Sequence, residues 1–207
     1  MDSTDAAGLI AEMHEEKAEH EADERFRNKA ALLIAILAAI LAIGGLGGGN
    51  ATDDMIGSNI RASDTWAFYQ AKNIRQTIYE IAAADLEAAL PGAPPAQRAE
   101  AELRLRDYQG SIARYDDEPD PEAPSDPLKG EGKKQLSAQA KAHEAAFETA
   151  SAKDNNFDLA EVALQLALVL GSVAILAINR WILMLSALLG LIGSLLTLNG
   201  FFLLVPM

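Results

Sequence analysis

Cysteine is absent from all 207 residues, which excludes a disulfide-stapled module and any thiolate-ligated zinc or iron–sulfur site. Basic residues are outnumbered: 17 Lys and Arg stand against 30 Asp and Glu, a formal net charge of −13. That balance argues against a nucleic-acid binder, which needs a basic footprint. Aromatic residues are scarce at 6%. Charge itself is missing from residues 30–49, 162–179 and 181–207. At about 1.5 Å per residue, a twenty-residue helix rises about 30 Å, the thickness of a bilayer's hydrocarbon core. The pattern predicts an all-α integral membrane protein. Its transmembrane helices cover 30–49, 162–179 and 181–205, and a helical, coiled-coil-like insertion, 50–161, separates the first span from the second.

Residues 1–29 carry nine acidic and four basic side chains and read as a charged N-terminal helix. A cleaved signal peptide has a short basic start, so the first apolar run is expected to stay attached as an anchor. Small residues recur every fourth position in each span: Ala31, Ala35 and Ala39, with Ala38 and Ala42, in the first; Ala163, Ala167 and Gly171 in the second; Ser186, Gly190 and Ser194 in the third. Such stripes let helices approach closely in lipid, so these are the expected helix-packing residues. The first span ends in five glycines between Gly44 and Gly49, expected to form a hinge or a close-packing patch.

In the insertion, Asp53 and Asp54 suit a helix start. The stripe Ile56, Ile60, Ala67, Ala71, Ile74, Ile78, Ile81, Ala82 has helical spacing and is expected to face the core. A proline-rich break at 91–95 follows. Two further seams step by four and three: Ala101, Leu105, Tyr108, Ile112, Tyr115, and Leu136, Ala140, His143, Phe147, Ala150, Asp154, Phe157, with Asp154 spoiling the second. Residues 116–127 hold six acids and four prolines and are expected to be a mobile acidic linker.

Lys17, Arg25, Arg27 and Lys29 precede the first span, and Arg180 lies between the last two. The positive-inside rule puts these in the cytoplasm. The expectation is a multi-pass inner-membrane protein with a cytoplasmic N-terminus and a periplasmic insertion and C-terminus.

No chemistry stands out. The glycine run lacks the spacing of a dinucleotide or phosphate loop. His14 and His20 are six apart and point to different helix faces, and His143 falls in a seam, where a polar core residue that sets register is the plain reading. Gly-x-Ser-x-Gly, His-Glu-x-x-His and kinase-type sets are missing. The spans carry no Asp, Glu, Lys or Arg, groups that active transporters and proton relays normally use. No catalytic residue, cofactor or metal is expected.

One segment crowds aromatic and basic residues together: Arg61, Asp64, Trp66, Tyr69, Lys72 and Arg75, within "RASDTWAFYQAKNIR" and preceded by "NATDDMI". The motif resembles the signature of a bacterial membrane-protein family without assigned function, the domain-of-unknown-function group 4337. The likeness extends to the order of charged helix, span, helical insertion and paired spans, and implies an inner-membrane protein of unknown role. Physically, these six residues suit helix packing first, and recognition of lipid phosphates or an acidic partner second. The expected function is non-enzymatic: a structural or interaction component, a homo-oligomer or an accessory subunit of a membrane complex, with membrane lipids and other subunits as partners. The alternative is an oligomeric channel, or a channel regulator, with an acidic outer vestibule.

Overall fold

The computed structural model describes residues 3–205, with side chains from residue 13 onward. Four α-helices account for most of it: α1 (Ser3–Ala89), α2 (Pro95–Asp116), α3 (Lys133–Ala177) and α4 (Arg180–Phe202), with a 3-10 turn at Leu90–Gly92. No strand occurs among the described residues. Stretches of 18 residues in α1, α3 and α4 reach mean hydropathies of 2.6, 2.2 and 2.2, so three helices are long and apolar enough to cross a membrane. The chain divides into two compact units, Met1–Thr52 with Ala150–Met207, and Asp53–Thr149.

In the first unit, three helical segments meet along seams that step by four and three. Ala30, Leu37, Gly44, Gly47 and Ala51 face inward from α1, and Phe157, Ala160, Leu164, Ala167, Gly171 and Ala174 from α3. From α4 the inward residues are Ser186, Gly190, Gly193, Thr197 and Gly200. Large side chains interlock with glycines. A Cβ on Gly190 would sit 2.6 Å from Leu37 Cδ2, and one on Gly193 would sit 2.6 Å from Leu164 Cγ. Ser186 Oγ donates to the Ala167 carbonyl at 2.6 Å.

The expected packing stripes are corrected in part. Ala167, Gly171, Ser186 and Gly190 lie in the contact, but Ala163 and Ser194 are only half-buried, because the seams follow a seven-residue repeat and drift off a strict four-residue stripe. The Ala31, Ala35, Ala38, Ala39 and Ala42 stripes face outward. The glycine run is no hinge: α1 continues through it, and Asp53 and Asp54 start nothing. Gly47 and Gly48 admit the Phe157 ring, whose packing offsets the helix cost of about 1 kcal/mol per glycine.

The second unit contains the later part of α1, all of α2 and the first turns of α3. The α2 and α3 seams face inward as expected. Asp154, which belongs to the first unit, does not break its seam, since it accepts a 2.6 Å hydrogen bond from Thr52 Oγ1. The isoleucine stripe of α1 is the opposite of the expectation. Ile56, Ile60, Ile74, Ile78 and Ile81 are each more than half exposed. The face turned inward carries Ser58, Ala62, Thr65, Tyr69, Lys72, Gln76, Tyr79 and Ala83, a seven-residue repeat written largely in polar and aromatic side chains.

Candidate functional site

The centre of the second unit is a lysine. Lys72 is 4% exposed and lies midway along the inward face of α1. Its Nζ reaches Glu118 Oε2 at 3.0 Å and Glu131 Oε2 at 3.5 Å. It also lies 5.3 Å from the Phe68 ring centre and 5.9 Å from that of Tyr115. A shielded ammonium is costly unless it is paired, and here two carboxylates and two ring faces compensate it.

Glu118 comes from the acidic segment and Glu131 from four residues past its end, so the segment is tied back on both sides and is not the loose linker expected. Glu118 accepts backbone N–H bonds from Glu131 and Gly132, and Pro119 bridges Gly130, whose φ of +109° only glycine adopts readily. Asp117 accepts from Gln135 Nε2 at 2.8 Å and Lys134 Nζ at 2.9 Å. The Gln135 hydrogen bond, then the Lys134 one, hold the Asp117 carboxyl below its ordinary range, and Asp117 in turn raises Lys134. Buried anchor points at the segment's ends substitute for the core that its composition cannot build.

The other motif residues spread around this clamp. Trp66 Nε1 donates to Glu144 Oε1 across to α3 at 2.8 Å, and its ring meets Tyr69 edge-on at 5.5 Å. Lys133 Nζ donates to Asn73 Oδ1 and sits 6.0 Å from the Tyr69 ring. Arg75 lines an open cavity of about 460 Å³ with Tyr79, Tyr108 and Tyr115. Arg61 and Asp64 are exposed, and no ion pair joins them among the described residues. The structure thus brings Trp66, Tyr69 and Lys72 together as packing residues and leaves Arg61 and Asp64 at the surface.

Sequence reasoning missed Glu118, Glu131 and Gln135, because acids are everywhere in this chain and none looked special. A usable signal existed on α1: a lone lysine at a core position of the seven-residue repeat, flanked by aromatics. It also missed Gly193, Thr197 and Gly200, which the same repeat, begun at Ser186, would have picked out.

The described residues define an all-helical protein with three helices able to cross a membrane and a clamped helical insertion. A family model, described as a domain of unknown function (DUF4337), matches residues 26–203, and the chain belongs to that family. No curated protein and no solved structure matches it.

Proposed function

We propose that this protein is a non-enzymatic structural component of a bacterial inner membrane that assembles with copies of itself through the outer face of α1. The observation that carries this reading is the inverted helix in the second unit, with polar side chains turned in and Ile56, Ile60, Ile74, Ile78 and Ile81 turned out. The insertion lies in water outside the charge-free spans, so its isoleucines have no lipid to face. Exposed apolar patches of this kind mark interaction surfaces. Burying the exposed half of one isoleucine returns roughly 1 kcal/mol. The seams of α2 and α3 are already used within the chain, which leaves this face for a second copy.

The test is chemical cross-linking in native membranes followed by light scattering of the solubilised protein. The wild-type chain gives a discrete oligomer, and Ile74→Glu with Ile78→Glu gives a folded monomer. A wild-type chain that stays monomeric at every cross-linker dose overturns the proposal.

A further inference from the structure

Within the first unit, α1 and α4 line an open cavity of about 710 Å³ near the start of α4. Three cations line it: Arg25 and Lys29 from α1, and Arg180 from α4. Arg25 pairs with Glu21 at 3.1 Å, whereas Lys29 and Arg180 have no ion-pair partner among the described residues. Glu21, held by Arg25, also lines it, so the cavity carries a net charge of +2, and the apolar part of the lining includes Phe26, Leu183 and Met184.

Two facts place this cavity at the edge of a hydrocarbon layer. Lys29 immediately precedes the first charge-free run, and Arg180 immediately precedes the last. Residues about 150 positions apart therefore bring their charges to one depth, with Arg25 one turn further toward water. Both cations border one cavity, so an anion seated there is attracted by each of them. The guanidinium fork and the ammonium both suit phosphate oxygens, and the apolar side of the lining suits acyl chain rather than water.

We infer that this cavity is a binding site for the phosphodiester headgroup of an anionic phospholipid, held by Lys29 and Arg180 with Arg25 at its outer rim and with the upper acyl chain against Phe26, Leu183 and Met184. Basic pockets between membrane helices on the cytoplasmic side take such headgroups. The inference is independent of self-association, since it uses neither the insertion nor the isoleucine face.

The probe is phosphatidylglycerol, tested on the full chain purified in neutral detergent. Native mass spectrometry of the wild-type protein retains one phosphatidylglycerol per chain in preference to phosphatidylcholine. Lys29→Gln with Arg180→Gln lowers that retention about tenfold or more. Arg27→Gln, which removes a neighbouring charge outside the cavity, leaves it unchanged. A second measurement needs no change at the site. Trp181 adjoins Arg180, and Trp66→Phe removes the only other tryptophan. Trp181 fluorescence should then be quenched by brominated phosphatidylglycerol at mole fractions where brominated phosphatidylcholine quenches weakly. Equal retention by the double variant, or equal quenching by the two lipids, overturns the inference. So does inorganic phosphate displacing phosphatidylglycerol at low millimolar concentration, which would mark a site for the free anion.

Discussion

Glycine positions in α1 that look alike in the chain differ by what stands opposite them. A Cβ on Gly47 would fall 2.6 Å from Phe157 Cζ, while one on Gly45 meets nothing within 4 Å. Gly45→Ala should therefore raise the melting temperature, by the helix preference of about 1 kcal/mol. Gly47→Ala must displace an aromatic ring already held edge-on to Phe201, and should cost about 1–3 kcal/mol despite the same propensity gain. Thermal melts in one detergent check both, and equal shifts would mean that the ring moves freely. At the acidic turn, charge decides instead. The Asp117 carboxyl is held below its ordinary 3.8, so its contribution is present above that value and lost as pH falls through the lowered one. Lys134 is raised above 10.5, so its contribution is intact below that and lost at more alkaline pH. The turn should stay latched between about pH 4 and pH 10. A fluorophore on Ser125→Cys reads this as anisotropy. The wild-type signal should fall as pH drops below about 4. Asp117→Asn should start lower at neutral pH and change less, and superimposable curves would show that the latch does not hold the turn.

Among the elements, α1 and the acidic segment depend on each other through Lys72. Lys72→Ala removes the cation from between Glu118 and Glu131 and leaves both acids free to turn to water, because Glu118 is a third exposed and Glu131 largely exposed. The cost should thus fall below the roughly 3–5 kcal/mol of a fully buried pair. Its main sign should be faster proteolysis between Glu118 and Glu131 with the helices still intact, and an unchanged cleavage pattern would show that the backbone bonds suffice. The helices α2 and α3 were legible in the sequence because their seams are apolar, and apolar periodicity is what the eye counts. The inner face of α1 was not legible for the converse reason. Ser58, Lys72 and Gln76 look like surface, and the isoleucines beside them look like core. Local apolarity does not reveal which face has partners when the inner one is satisfied by Gln76 donating to the Ile112 carbonyl and by Lys72 with its two acids. The acidic segment was misread similarly: its composition argues for disorder, and its anchors, Gln135 and Lys72, lie 17 and 46 residues from their partners. Of the candidate site, Trp66, Tyr69 and Lys72 were found by their crowding alone.

For the whole molecule, the basic residues set the expected orientation. An impermeant thiol reagent applied to spheroplasts should label Ser125→Cys and spare Ser3→Cys until the cells are opened, and equal labelling of both in intact cells would contradict the topology. That orientation gives the outward isoleucines of α1 a further consequence. When two copies inserted the same way meet through the same face, the contact is isologous, and the pair is related by a twofold axis along the membrane normal. Such an axis sets the two α1 helices parallel and in register, and each residue beside it faces its own counterpart. Ile74→Cys alone should then oxidise to a disulfide-linked dimer in the membrane, whereas an equal mixture of Ile56→Cys and Ile81→Cys chains should form self-pairs and no mixed ones.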